Sequence, residues 1–149
     1  MLRGSCLCGA VAFEVSAARG PFELCHCTRC RKVTSSGPLG SFHARAEDYR
    51  LLRGRDAVVH FELPVRDEPP PYQYDFCGRC GCVLPGPLDP REGSVEIPAG
   101  LIDDELTLPV DRHIFVEHRT QWGRGLEQLE ELTGEELRAL RAGQRSKPT

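Results

Sequence analysis

Apolar and polar residues alternate along several short stretches of the chain, and the alternation has the period of a strand. From Gly9 to Val15, the residues Val11, Phe13 and Val15 fall on one face and Ala10, Ala12 and Glu14 on the other, which predicts a half-buried strand. Ala57 to Leu63 repeats the pattern, with Val59, Phe61 and Leu63 opposite Val58, His60 and Glu62. Leu39 to His43, Tyr49 to Leu52, Tyr72 to Phe76, Ser94 to Ile97 and His113 to His118 are further predicted strands. Pro64 ends the second stretch, and Asp67-Glu68-Pro69-Pro70-Pro71 reads as an exposed connection, because proline has no N–H to give to a ladder. After Trp122, expected to anchor the C-terminal segment, the period changes: Leu126, Leu129 and Leu132 lie at helical spacing. Thr133-Gly134-Glu135-Glu136 then has the form of a capping box opening a short helix through Leu137 and Leu140 to Gly143, with a frayed tail from Gln144. The reading is a mainly β domain over residues 1–122, with residues 123–149 as a helical extension and tail of the same domain.

Composition supports short strands joined by turns, with 12 Pro and 15 Gly among 149 residues. A net charge of -3 gives no general pull toward nucleic acid or an anionic membrane surface. The first residues, Met1-Leu2-Arg3-Gly4-Ser5, contain no apolar signal region, and no stretch has the apolar length to span a bilayer. A cytoplasmic, reducing setting is therefore expected. That setting decides how the cysteines are read.

All eight cysteines lie in three knots: Cys6-Leu7-Cys8, then Cys25-His26-Cys27-Thr28-Arg29-Cys30, then Cys77-Gly78-Arg79-Cys80-Gly81-Cys82. Where thiols stay reduced, such knots read as thiolates converging on a cation, not as disulfides. A structural zinc takes four protein ligands, whereas a catalytic zinc takes three and keeps one position open. The middle knot supplies three thiolates from about one turn of chain and leaves the fourth direction free. Cys6 and Cys8 need a distant pair, and Cys77 and Cys80 supply it, so two zinc ions per chain are expected. Cys82 is left over, as a buried free thiol or a further ligand.

Gly4-Ser5-Cys6-Leu7-Cys8-Gly9, Cys25-His26-Cys27-Thr28-Arg29-Cys30-Arg31, Phe76-Cys77-Gly78-Arg79-Cys80-Gly81 and His113-Ile114-Phe115-Val116 together resemble the glutathione-dependent formaldehyde-activating enzymes, the CENP-V/GFA domain family, over about Gly4 to Trp122. The resemblance implies a small zinc-stabilised, β-sandwich-like fold of the kind shared with methionine sulfoxide reductase B. It implies a structural zinc on Cys6, Cys8, Cys77 and Cys80, and a catalytic zinc on Cys25, Cys27 and Cys30, in agreement with the ligand count. The implied activity is that of a carbon–sulfur lyase, joining or splitting glutathione and formaldehyde as S-hydroxymethylglutathione. Cys82 departs from the pattern, and the C-terminal extension lies outside it.

The chemistry of an open three-thiolate site follows directly. A thiol entering the fourth position is deprotonated near neutral pH and becomes a ready nucleophile for a small electrophile. Arg29, Arg31 and Lys32 could offset the thiolate charge or hold a substrate carboxylate, or form a solvated basic cluster on a turn. His26 between two ligands reads as packing behind the site, and His113 as a strand residue. Tyr72, Tyr74 and Phe76 line either a cleft or the core, and Asp103-Asp104 reads as a turn. The alternative to an enzyme is a zinc-stabilised binding module without chemistry, or a thiol–disulfide protein using Cys82. Oligomeric state is not legible.

Overall fold

The computed structural model describes residues 1–63, 72–86 and 93–145. The expected connection at 67–71 and the tail beyond Arg145 lie outside them. Contacts divide the chain into two compact units, Met1–Arg119 and Thr120–Thr149.

Among the described residues of the first unit, strands are the main regular structure. β1 (Leu2–Ser5), β2 (Ala12–Val15) and β5 (Tyr49–Arg53) form a three-stranded sheet in the order β1-β2-β5. β3 (Arg19–Cys25), β4 (Leu39–Arg45), β8 (Ser94–Pro98) and β9 (Arg112–Ile114) form a second sheet in the order β8-β4-β3-β9, antiparallel except where β9 runs parallel to β3. β6 (Val58–Leu63) and β7 (Tyr72–Cys77) pair as a two-stranded ribbon. One seven-residue helix, α1 (Thr28–Thr34), follows β3. The mainly β class is as expected.

Two cores hold these pieces. Phe13 and Val15 of β2 meet Phe22, Phe42, Ala44, Val95 and Ile97 of the four-stranded sheet, all buried. The alternation on β2 thus points as predicted, but its first residues do not extend into the strand. Gly9 takes φ +69°, and its N–H bonds the Cys6 carbonyl at 2.8 Å, so they form a turn instead. A second core gathers Cys6, Val11, Ala57, Cys77 and Leu84, and places two cysteines of different knots in one apolar setting.

Several elements differ from expectation. β1 and β3 are not signalled by the pattern: β1 has four residues, and β3 contains Gly20-Pro21, which breaks the register with β4 between Arg19 and Glu23. On β6 the alternation marks a real strand but not a buried face, because Val59 and Phe61 are each 40% exposed on a ribbon with one partner strand. β9 stops at Ile114, since Phe115 adopts φ +53° and turns the chain into a single 3-10 turn, Val116–His118. The turn lies at Ala99–Leu101, just before the expected Asp103-Asp104 position, and the two aspartates staple β1. Arg3 N–H donates to Asp104 at 2.7 Å, and Ser5 Oγ to Asp103 at 3.1 Å.

The second unit carries α2 (Gly134–Arg145), and the capping box is present. Thr133 N–H donates to the Glu136 carboxylate at 2.7 Å, and Glu136 N–H to Thr133 Oγ1 at 3.3 Å. The leucine run before it is not a helix. Leu126–Gln128 is one 3-10 turn behind Gly125 at φ +66°. Trp122 is 59% exposed and does not serve as a buried anchor.

Candidate metal centre

The closed cluster is made by two tight turns far apart in the sequence of the first unit. β1 delivers Cys6, whose N–H bonds the Val11 carbonyl at 3.1 Å and whose sulfur accepts the Val11 N–H at 3.3 Å. β7 ends on Cys77, and Gly81, at φ +76°, folds back so that its N–H reaches the Cys77 carbonyl at 2.8 Å. The sulfurs of Cys6, Cys8, Cys77 and Cys80 come within 4.8 Å of one another, with 3.6 Å from Cys6 to Cys8 and 3.9 Å from Cys8 to Cys77. Cys6 and Cys77 are buried, Cys80 is half-buried and Cys8 is exposed. Backbone N–H groups of Cys82 and Cys8 aimed at the Cys80 sulfur hold that thiol down to about 6. Turn geometry thus favours a thiolate there.

Cys82 stands beside this cluster and not in it. Its sulfur accepts the Leu7 N–H at 3.3 Å. The Leu7 N–H pulls its pKa down, but desolvation and the sulfurs and charges of Cys80 and Cys6 outweigh that and leave it raised. It is half-buried.

The open cluster is made by one continuous segment. Cys25 is the last residue of β3, Cys27 is the N-cap of α1 and Cys30 sits in the first turn, so a strand, a corner and a helix start gather three sulfurs within 4.8 Å. Cys27 caps the helix through sulfur, which accepts the Cys30 N–H at 3.3 Å. Cys30 and Cys25 divide one proton unequally. A hydrogen bond from Cys30 brings Cys25 down to about 6, and the same contact pushes Cys30 far up. Cys25 and Cys30 are buried and Cys27 is partly open.

The parallel pairing of β3 and β9 sets the back wall of this cluster. His26 N–H bonds the Ile114 carbonyl at 3.0 Å, which brings the buried His26 ring to His113, with Nε2 to Nδ1 at 2.9 Å. Arg119 Nη2 lies 3.2 Å from the same His26 Nε2 and can only donate. His26 Nε2 is therefore an acceptor, its proton sits on Nδ1, and His113 donates from its Nδ1. Burial, then the charges of Arg119 and His113, lower the His26 pKa, in keeping with a neutral ring. His113 is a strand residue, as expected.

The front wall is aromatic and charged. Arg29 sits over the Tyr72 ring at 5.0 Å, and Tyr72, Tyr74 and Phe76 follow one another at 5.9 Å spacing. Burial and then the charges of Cys30, Glu96 and Cys27 push the Tyr72 hydroxyl well up, against the opposing pull of Arg29. Of the basic residues after Cys27, Arg29 is thus at the site, while Arg31 and Lys32 lie in the last turn of α1. Glu96 carries no sequence signal of its own. It faces outward between the buried Val95 and Ile97, and the buried Ser41 donates to its carboxylate at 2.6 Å.

Residues 1–118 match the family model of the glutathione-dependent formaldehyde-activating enzymes. The chain belongs to this family. A Halomonas elongata protein provisionally named glutathione-dependent formaldehyde-activating enzyme is 31% identical over 125 residues, which cover 82% of this chain and 79% of that one. The crystal structure of a Rhodobacter sphaeroides protein superposes with a TM-score of 0.55 at 22% identity, covering 74% of this chain and 98% of the other, a likeness of fold. In this formaldehyde-activating family member, seven of the eight cysteines fall into two clusters that could hold metal ions, Cys6/Cys8/Cys77/Cys80 and Cys25/Cys27/Cys30. The contact of His26 with His113, the Arg119 donor and Glu96 were not predicted. Each depends on strand pairing between segments far apart in sequence.

Proposed function

We propose that this protein is a zinc-dependent carbon–sulfur lyase that joins a thiol such as glutathione to a small aldehyde such as formaldehyde, or splits the adduct, at the Cys25/Cys27/Cys30 cluster. The observation that carries the reading is the inequality of the two clusters, one with four sulfurs and one with three. Four sulfurs each about 2.3 Å from a tetrahedral zinc lie about 3.8 Å apart, and the sulfur separations of 3.6 and 3.9 Å in the closed cluster suit that ion. Three thiolates from one segment suit the same ion with one position left for substrate. When bound there, zinc would supply a positive centre beside which an incoming thiol ionises near neutral pH.

The chain's own residues divide the remaining work. Arg29, held over Tyr72, places a cation beside a cluster that becomes more negative as a thiol enters. Tyr72 keeps its proton and can donate a hydrogen bond to an aldehyde or adduct oxygen. The Arg119–His26–His113 set fixes the corner between Cys25 and Cys27 from behind. The reading also places the protein where thiols stay reduced, as in the cytoplasm. Among the described residues, no helix is long and apolar enough to cross a membrane.

Metal analysis and exchange spectroscopy test this together. The wild type should carry two zinc ions and speed glutathione–formaldehyde exchange, and Cys27→Ala should keep one zinc, stay folded and lose the acceleration. If Cys27→Ala melts as badly as Cys80→Ala, or the wild type holds a single zinc, the three-cysteine cluster is not a catalytic site.

A further inference from the structure

The four-stranded sheet turns one face to the first core and carries Cys25 on the other. Phe42, Val95 and Ile97 point into the core, so Ser41 and Glu96, which alternate with them, share the opposite face with Cys25. The register places these three precisely enough to order them. Cys25 stands opposite Leu39, Glu23 opposite Ser41 and His43 opposite Glu96, which puts Cys25, Ser41 and Glu96 on one diagonal across β3, β4 and β8. Neighbours on such a diagonal are about 7–8 Å apart, within reach of a long side chain. The Glu96 carboxylate takes that direction, since the buried Ser41 hydroxyl donates to it at 2.6 Å. It leans toward Cys25.

This carboxylate is ordered but unpaired. Its strand is held by β4 on one side, and on the other the Glu96 N–H and carbonyl bond the Gly86 carbonyl and N–H at 3.3 and 3.2 Å. Glu23 on the same face is neutralised by Arg112 at 2.7 Å. The exposed Glu96, in contrast, has no cationic side chain within ion-pair distance among the described residues. Three thiolates leave the open site negative even around a divalent cation, so an unpaired carboxylate beside them is unfavourable by itself. A cation from outside the chain relieves it. An exposed carboxylate ordinarily gains little from pairing because it must first be ordered, but Ser41 and the strand pairings have already ordered this one.

We propose that Glu96 determines specificity at the open site by receiving the ammonium group of an amino-acid or peptide thiol. The site then selects thiols that carry a free amine, and Ser41 is the residue that positions the carboxylate. This role presupposes that the open cluster is the thiol site of the proposed lyase, and unreactive ligands separate the two.

S-methylglutathione, whose thiol is blocked, and its N-acetyl derivative, which lacks only the ammonium charge, are titrated calorimetrically into the metal-loaded wild type, Glu96→Gln and Ser41→Ala. The wild type should bind the free-amine ligand at least about tenfold more tightly than the acetylated one. Glu96→Gln should abolish that ratio and leave the affinity for the acetylated ligand unchanged, and Ser41→Ala should narrow it. A wild-type ratio near one overturns the proposal, as does a ratio that survives in Glu96→Gln, an equal loss of both ligands in that variant, or no binding of either ligand. The wild-type ratio needs no substitution, so it decides the matter even where a variant fails to fold. Failure of the lyase reading would appear separately, as an intact preference for the free amine without acceleration of glutathione–formaldehyde exchange.

Discussion

Gly54 shows how a single position can be fixed by backbone alone. Its φ is +83°, and a side chain there would press directly into the Ala10 carbonyl, so both conformation and space exclude a Cβ. Gly54→Ala should destabilise the first unit by about 1–3 kcal/mol, read as a lower midpoint in urea with an unchanged slope. A midpoint equal to that of the wild type would mean that the turn between β5 and β6 relaxes freely. The cysteines are the residues whose grouping the sequence exposes best, because their spacing is local and survives translation into structure. Cys82 was legible only as a remainder, since its position depends on where Leu7 comes to lie, seventy-five residues earlier.

Elements were legible in proportion to the cleanness of their alternation. β2, β4, β7 and β8 carry it, whereas β3 hides behind Gly20-Pro21 and has to be inferred from its neighbours β4 and β9. That omission matters, because β3 positions Cys25, and its parallel partner β9 brings His113 to His26. The C-terminal helix illustrates the opposite case, in which a local motif is sufficient. Thr133→Ala removes the acceptor at the α2 N-cap and should cost about 1 kcal/mol of local stability, visible as faster amide exchange over the first turn. The Thr133 hydroxyl and N–H also hold the Glu136 carboxyl below its usual value. This contribution is complete above the ordinary glutamate range near about 4.3 and fades as pH falls through the lowered value. Helicity of α2 should therefore decline on acidification in the wild type and more weakly in Thr133→Ala.

At the scale of the whole molecule, the two clusters make different demands on the fold. Cys8 and Cys77 are 69 positions apart, so the closed cluster ties the β1–β2 turn to the end of β7 and seals the second core. Stripping metal with a strong chelator should lower the thermal midpoint of the first unit, and most of that loss should also appear in Cys80→Ala, whereas Cys27→Ala should retain nearly all of the midpoint. Equal losses in the two variants would mean that the open cluster also holds the fold together. The grouping of the cysteines was legible in the sequence, but not the packing of Cys6 and Cys77 into one core, because burial depends on Val11, Ala57 and Leu84 arriving from three separate segments.

The spacing of the two clusters also orders events on the ribosome. Cys25, Cys27 and Cys30 leave the tunnel as one short segment, and their sulfurs can meet as soon as it turns. Cys6 and Cys8 must wait for Cys77 and Cys80, and at a synthesis rate of roughly 5–20 residues per second the intervening chain takes on the order of 4–14 seconds to appear. During that interval the N-terminal thiols are available to any competing cation or oxidant, and on the proposed reading the supply of metal to the nascent chain would become part of how this protein matures.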